Sequence, residues 1–180
     1  MVPVAWHRPP EGVLKLNIDG SFEQNTTNGG IGGVIRDHFG KWIAGFTCKI
    51  KAHNAHHEEI LALLHGLNLA KRLNLAHLQV ETDSQVLLNN LNNNSRVYSH
   101  IYADCRAILQ QMGRATMEHI SREVNIVADL LAVHGRKTKD PNICIGQLYV
   151  FDASPSLISS ALERDAMGTT SLRLVPLLYV

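Results

Sequence analysis

Apolar and polar residues alternate over positions 13–19, so that Leu14, Leu16 and Ile18 share one face. A period of two residues is typical of a half-buried β-strand. The apolar runs 31–36 and 42–50 follow, joined by the turn sequence DHFG, and they predict two more strands. The first part of the chain is therefore predicted to be three consecutive antiparallel strands, with a polar loop over 23–30.

A helical period replaces the alternation after residue 56. The segment 57–73 is rich in Leu and Ala and predicts a long helix, and 78–82 predicts a short strand. The remaining predicted elements are helices near 84–92 and 99–112, a short strand over 117–121 and a last helix over 125–133. This order predicts an α/β fold with a five-stranded mixed sheet, three antiparallel strands and then parallel ones, flanked by helices.

The pattern weakens beyond about residue 136. One segment, SPSLISSALERDAMG, still predicts a short helix, with Ser154 as the cap, Pro155 at the first position and Gly168 near the end. We therefore expect one domain over 13–135, followed by an accessory tail over 136–180.

Composition limits the classes of function. The 180 residues are 45% hydrophobic, enough for one packed core, and the net charge is +1. Such a charge gives no general affinity for nucleic acid, so a polyanionic partner would need a local basic face. The sequence has no 18-residue apolar run, no signal-peptide pattern and three widely spaced cysteines. We expect an intracellular protein without membrane association, in the nucleus or the cytoplasm.

Four carboxylates stand at the edges of the predicted elements. Asp19 ends the first strand, Glu59 opens the long helix, Asp83 follows the strand over 78–82, and Asp129 lies in the last helix. Taken singly, an Asp before a Gly begins a turn, and an Asp-Ser pair caps a helix. Taken together, four acids at strand ends and helix faces predict a site for a divalent metal with hard oxygen ligands.

Helical geometry separates Glu59 from its neighbour Glu58. At 100° per residue, Glu59 lies at the edge of the apolar stripe, where Gly66 and Ala70 would allow close approach to the sheet. Glu58 lies on the opposite side and is expected to face water. Asp129 likewise borders an apolar stripe of its helix, formed by Ile126, Leu130 and Val133.

Two other motifs do not support a site. The sequence HHEE lacks the second histidine of a zinc-protease helix, because position 61 is Leu. The glycines of GGIGG do not follow a strand and open a helix, so they do not form a dinucleotide fingerprint. We interpret them as positions where nucleic acid or a neighbouring strand approaches the backbone closely.

Five segments, in this order, resemble the ribonuclease H domain found in plant genomes and in non-LTR retroelement reverse transcriptases. They are WHRPPEGVLKLNIDGS (6–21), GIGGVIRDHFGKWIAGF (30–46), EILALLHGLNLA (59–70), VETDS (80–84) and HISREVNIVADLLA (119–132). The resemblance implies the ribonuclease H-like fold. It also implies that residues 1–12 are a linker of the kind that joins this domain to upstream sequence.

The resemblance further implies an endonuclease that hydrolyses the RNA strand of RNA–DNA hybrids with two Mg²⁺ ions, which Mn²⁺ can replace. Asp19 would bridge both ions, and Glu59 and Asp83 would complete the site that stabilises the leaving 3′-oxygen. Asp129 would hold the ion that generates the attacking hydroxide. His119 corresponds to a histidine that helps protons move or product leave, although an ordinary strand-end histidine is an equal alternative.

Substrate contacts are expected from polar residues near the first strand and at helix starts. Asn125, one turn before Asp129, could orient it, touch substrate or act as a cap. The full set of substrate-binding candidates is Asn17, Ser21, Asn28, Ser84, Gln85 and Asn125, with Asn25 and Thr26 beside them.

The region between the predicted middle helices carries little positive charge for binding a duplex. Some relatives carry a basic protrusion between the middle helices, but this chain has NNLNNNSRVYSH, with Arg96 as its only formal charge. A fused or separate nucleic-acid-binding domain is therefore an expected partner. The alternative function is a weak or inactive domesticated domain that binds nucleic acid or protein. An exonuclease of the same fold is disfavoured, because its D-x-E pair is absent after Asp19.

Overall fold

The computed structural model of this chain describes residues 1–93, 95–113 and 115–174. The last six residues of the expected tail lie outside the described part. The elements in chain order are β1 (Val2–Val4), β2 (Leu14–Phe22), β3 (Asn28–Arg36), β4 (Trp42–Lys51), α1 (Ala55–Arg72), β5 (Leu78–Thr82), α2 (Gln85–Asn92), α3 (Ser99–Gln111), β6 (Thr116–His119), α4 (Ile126–Lys137), β7 (Tyr149–Phe151), α5 (Ser159–Ala166) and β8 (Ser171–Arg173).

The main sheet has the strand order β6-β5-β2-β3-β4-β7. Strands β2, β3 and β4 are antiparallel, whereas β5 runs parallel to β2 and β6 runs parallel to β5. The predicted α/β architecture with a mixed sheet is confirmed. One strand has to be added to the five expected, because β7 pairs antiparallel with β4. Its three residues lie in the tail, where no alternating pattern marks a strand.

Helices cover both faces of the sheet. Helix α1 packs on one face over apolar residues such as Leu16 and Ile18, with α3 packed against α1, and α4 packs on the other face with Leu131 against Val34 of β3. Gly66 lets α1 approach β2, because a Cβ there would lie 2.9 Å from Leu16 Cδ2. The core therefore fixes the helix starts against the strands, which is where the candidate acids lie.

The glycines of β3 serve close packing inside the fold. A Cβ at position 32 would overlap the backbone of Leu131 and Ala132 in α4. The expected close approach is therefore made by helix α4, which the sequence did not predict as the neighbour. Neither nucleic acid nor a neighbouring strand is needed to explain this part of GGIGG.

The two ends of the described chain meet. Strand β1 pairs antiparallel with β8, with Val2 opposite Arg173. Trp6 is buried, and the Arg8 side chain donates a 2.9 Å hydrogen bond to the Ala166 carbonyl. The segment expected as a linker thus packs with the tail in one ordered layer. Within the described ranges, no helix has the length and apolarity needed to cross a membrane.

Candidate metal centre

Three of the four predicted carboxylates converge at one edge of the sheet. Asp19 extends from β2, Glu59 from the first turns of α1, and Asp83 from the residue after β5. One oxygen from each lies within 4.8 Å of the others. Gly20 permits this convergence, because a Cβ there would come within 2.6 Å of Glu58 Cβ and hold α1 away. The parallel pairing of β2 and β5 places Asp19 and Asp83 side by side.

Among the described residues none of the three carboxylates forms a salt bridge, although Arg122 lies near enough to lower the pKa of Asp83 in part. Burial, followed by repulsion from Glu59, Asp83 and Asp129, raises the pKa of Asp19 to about 10. Burial, followed by repulsion from Asp83, raises the pKa of Glu59 to about 8. The pKa of Asp83 is also raised, mainly by burial.

One oxygen of the cluster is also left without a partner. Glu59 Oε2 is buried, and no donor of the described part of the chain forms a hydrogen bond with it. Acceptor-only oxygens that are buried, crowded and under-satisfied suit a hard divalent cation such as Mg²⁺. The residues present therefore fit the metal that the sequence predicted.

Asp129 lies at the rim of this cluster and outside its 4.8 Å group. It sits in the first turn of α4, and its Oδ1 is 3.7 Å from Nη2 of the exposed Arg122. It is near enough to contribute to the raised pKa of Asp19. The structure thus brings together three of the four predicted ligands and leaves the fourth beside them, paired with a cation.

Asn125 is buried directly behind the cluster. Its Nδ2 donates a 2.9 Å hydrogen bond to the Ile18 carbonyl and lies 3.5 Å from Asp83 Oδ1. Its side chain does not cap α4. Of the three roles expected for Asn125, orientation of a carboxylate fits best, and that carboxylate is Asp83. Burial leaves Asn125 no direct access to a substrate.

Asn17 is also enclosed, contrary to the expected substrate contact. Its Nδ2 donates to Glu81 Oε2 at 2.8 Å, and its Oδ1 accepts hydrogen bonds from Arg36 Nη2 at 2.8 Å and Trp6 Nε1 at 3.2 Å. With 1% exposure and its polar atoms bonded inside the fold, Asn17 is not placed to touch substrate. An alternating strand pattern puts it on the polar face, and the packing of Trp6 over that face is not visible locally.

The other substrate candidates have partners of their own. Ser21 Oγ accepts a 2.9 Å hydrogen bond from Arg136 Nε, and Ser84 Oγ caps α2 by accepting from Leu87 N at 3.2 Å. Of the four that remain, three form hydrogen bonds to nearby groups: Thr26 and Asn28 to Glu23, and Gln85 to Asn89. Asn25 has a left-handed backbone in the turn between β2 and β3.

A cleft of about 560 Å³ opens over the acidic cluster. Asp19, Glu59 and Asp83 form its floor, and Ser84 lies on its wall. His119, at the end of β6, is exposed, and its Nε2 lies 3.1 Å from the Asp83 carbonyl oxygen. The predicted histidine is thus near the cluster, and its interaction is with the Asp83 backbone.

Sequence reasoning missed two residues of this cleft, His56 and Arg122. His56 belongs to the first turn of α1, and its Nε2 is 3.0 Å from Tyr102 Oη. Arg122 follows β6 in the segment HISREVN. Arg122 could have been predicted as a residue of the site, because it lies three residues after the candidate His119. His56 belongs to the HHEE motif, which was interpreted only as a possible zinc pattern.

The expectation that Glu58 faces water is wrong. Glu58 is 1% exposed, and its Oε1 is buried without a hydrogen-bond partner. Burial raises its pKa to about 8, although the nearby Arg136 lowers it. Strand β3 covers this side of the helix at Gly29, where a Cβ would overlap Glu58 Oε1. A helical wheel cannot reveal this, because the covering strand comes from elsewhere in the chain.

Comparisons with known proteins agree with this geometry. Residues 17–135 match the model of the reverse transcriptase-like family. A predicted ribonuclease H protein of Arabidopsis thaliana is 30% identical over 177 residues, which are 97% of this chain and 28% of that protein. The chain therefore spans little more than a quarter of this relative.

Solved structures give the fold. An RNase H1 from the archaeon Halobacterium salinarum is 21% identical, with a TM-score of 0.63 over 68% of this chain and 96% of that one. An RNase H1 isolated from compost, in complex with an RNA/DNA hybrid, is 21% identical, with a TM-score of 0.62 over the same shares. The fold is ribonuclease H-like, as expected.

Proposed function

The chain belongs to the reverse transcriptase-like family, and from this premise we propose that it is a metal-dependent endonuclease that cuts the RNA strand of RNA–DNA hybrids. The observation that carries the proposal is the convergence of Asp19, Glu59 and Asp83 under an open cleft, where none of the three forms a salt bridge with a described residue. The ribonuclease H-like fold and the name of the Arabidopsis relative support it. An RNA/DNA hybrid is also what the related compost enzyme holds.

In this proposal Asp19, Glu59 and Asp83 hold two Mg²⁺ ions, with Asp129 completing the set from the rim, and Mn²⁺ can replace Mg²⁺. Bound Mg²⁺ would lower the pKa of the attacking water and neutralise charge on the leaving oxygen. Asn125 holds the Asp83 carboxylate from behind, and Ile18 fixes Asn125 in turn. The buried side of the cluster is therefore preorganised by the protein.

The reaction is hydrolysis of one phosphodiester bond. A water oxygen bonds to phosphorus while the bond from phosphorus to the 3′-oxygen breaks, which leaves a 3′-hydroxyl and a 5′-phosphate. The leaving oxygen takes up a proton, and His119 is near enough to the cluster to pass one between solvent and the site. The choice of RNA over DNA requires contact with 2′-hydroxyls, for which the exposed polar groups of Asn28 and Gln85 are candidates.

The test is cleavage of a labelled RNA–DNA hybrid by the full chain with Mg²⁺ or Mn²⁺, beside single-stranded RNA, duplex RNA and duplex DNA. We expect internal cuts confined to the RNA strand of the hybrid and lost with EDTA. Asp19→Asn should lower the rate by roughly 10³-fold or more, because a central metal ligand loses its charge. Asp104→Asn, on the exposed side of α3, should cut normally.

Adjacent glutamates give a sharper comparison. Glu59→Gln should lose nearly all activity, whereas Glu58→Gln should retain it, because Glu58 lies against Gly29 and a raised pKa near 8 keeps it largely neutral. Equal losses in the two variants would contradict the assignment of Glu59 as the ligand.

One observation favours a second candidate function. Asp129 is paired with Arg122 outside the close group, as expected if this domain binds nucleic acid or protein without cutting it. Folded chain that binds neither Mg²⁺ nor Mn²⁺ and cuts no hybrid would support this alternative.

A further inference from the structure

A second, smaller cleft adjoins the acidic one on the side of β6. It has a volume of about 270 Å³, and its lining includes Asp83, His119, Arg122 and Arg173. The first three belong to the segment that matches the family, but Arg173 lies in the tail, well beyond residue 135. The tail therefore contributes a cationic side chain next to a residue of the candidate metal centre.

The backbone fixes Arg173 at this place. It is the last residue of β8, which pairs with β1 so that Arg173 stands opposite Val2. Strand β8 also packs against the short 3-10 turn Arg122–Val124. The buried Trp6 and the hydrogen bond from Arg8 to Ala166 attach the same layer to the rest of the fold. The position of Arg173 is thus set by strand pairing and packing.

The charges of this cleft suit an anion. The Arg122 side chain is 78% exposed and lines both clefts, and its Nη2 lies 3.7 Å from Asp129 Oδ1. Arg173 is exposed, and no carboxylate within the described residues comes within ion-pair distance of it. Glu123 is the acid on the far wall, and Asp83 belongs to the metal cluster. Arginine offers a planar fork of donors that matches a phosphate group.

We propose that Arg122 and Arg173 bind a backbone phosphate of the nucleic acid, next to the phosphate that is cut. This inference rests on the proposed function, since it takes the acidic cluster as the cutting site. It gives the tail a direct role in substrate binding. It also supplies a local basic face on a chain with a net charge of +1 and no basic protrusion between its middle helices.

The experiment measures binding separately from cleavage. The full chain carrying Asp19→Asn, which removes cutting, is titrated with a fluorescent RNA–DNA hybrid at several salt concentrations. Arg173→Gln in this background should weaken binding about tenfold, the effect of one charge-assisted hydrogen bond. It should also reduce the slope of log K against log salt by about 0.9, the value for one phosphate contact. Arg72→Gln, an exposed arginine at the far end of α1, is the matched control.

A second titration locates the contact. Hybrids with one neutral methylphosphonate at successive positions of each strand should show one position where binding weakens with Arg173 present and does not weaken further with Arg173→Gln. Such non-additivity identifies a paired side chain and phosphate. Unchanged thermal melting of the variants shows that the fold is intact.

The outcomes separate the two proposals. Equal losses for Arg173→Gln and Arg72→Gln, or no loss for either, would overturn the phosphate site, whether or not the wild-type chain cuts the hybrid. A site-specific loss at Arg173 in a chain whose wild type never cuts would uphold the phosphate site and overturn the nuclease. No binding of the hybrid by any form would overturn the phosphate site directly.

Discussion

Both halves of strand β2 carry buried polar groups, but only in the first half are the charged groups paired with groups of opposite charge. In the first half, Lys15 contacts Glu81 at 2.5 Å, and Asn17 joins Glu81 to Arg36. Arg36 in turn pairs with Asp165 of the tail helix at 2.6 Å. Two cations and one anion are thus buried together with the partly buried Asp165, and the Asn17 amide lies between Glu81 and Arg36.

In the second half, Asp19 meets Glu59 and Asp83, and none of these carboxylates forms a salt bridge with a described residue. The same sheet therefore contains, at nearly the same depth, a network in which buried charges are compensated and a cluster of carboxylates in which they are not. Burying charge is tolerated where the protein supplies the opposite charge, and it is costly where the protein does not. The contrast indicates that the second half needs a ligand from outside the chain, whereas the first half is complete.

The largest expected effect comes from breaking the compensated half. Arg36→Gln should lower the free energy of unfolding by about 3–5 kcal/mol, because Asp165 loses its buried partner and Trp6 loses the guanidinium packed 3.6 Å above its ring. Urea denaturation measures this change. The exposed Arg72→Gln should stay within about 0.5 kcal/mol of wild type. A similarly small effect at Arg36 would remove the distinction between the two halves.

The uncompensated half should make the metal-free protein sensitive to pH. The folded-state pKa values of Asp19 and Glu59 are raised to about 10 and about 8, above their ordinary values of 3.8 and 4.5. The folded state therefore binds more protons than the unfolded state between about pH 4 and these values. The stability that Asp19 and Glu59 contribute should be fully present below pH 4. It should fall as the pH rises, by about 1.4 kcal/mol per pH unit for each proton involved.

Urea titrations in EDTA at pH 5, 7 and 9 measure this dependence. Asp19→Asn should flatten it and should be more stable than wild type at pH 9, while Mg²⁺ should stabilise only the wild type. A metal-free wild type that gains stability from pH 5 to 9 would show that the carboxylates are compensated after all.

The smallest effect is expected at Asn125, which lies between the polar groups of the two halves of strand β2. Asn125 lies 3.5 Å from Asn17 and from Asp83, so it joins the compensated network to the acidic cluster. Asn125→Ala should lower hybrid cleavage about 10- to 100-fold and raise the Mg²⁺ concentration needed, as loss of a group behind a metal ligand does. A Mg²⁺ titration of the cleavage rate tests this, with Asn68→Ala on exposed α1 surface as the control. An unchanged Mg²⁺ requirement would show that Asn125 does not orient the site.

The strands and helices that show a regular pattern of apolar residues could be predicted from the sequence. Alternation around Leu16 and the helical stripe beside Glu59 were enough to place three carboxylates at one edge of a mixed sheet. The wrong predictions concern residues whose burial depends on contacts between segments that are far apart in the sequence. The burial of Glu58 depends on Gly29 of another strand, and the burial of Asn17 depends on Trp6.

Strand β7 and the tail ion pair were missed for the same reason. The three residues of β7 are too few to show a period of two. The pair of Arg36 and Asp165 joins residues from opposite parts of the sequence, and neither shows in its own segment that the other is near. Such contacts need the folded chain as a whole.

The pairing of β1 with β8 has a consequence for the order of assembly. It joins Val2 to Arg173, so almost the entire described chain must be made before this ribbon can form. Closing so long a loop carries an entropic cost that earlier packing of the sheet and helices reduces. The three residues of the acidic cluster are made by position 83, whereas Arg173 is made near the end of the described chain. The proposed phosphate contact therefore becomes available only when synthesis has passed the tail, and a truncated product would be left without it.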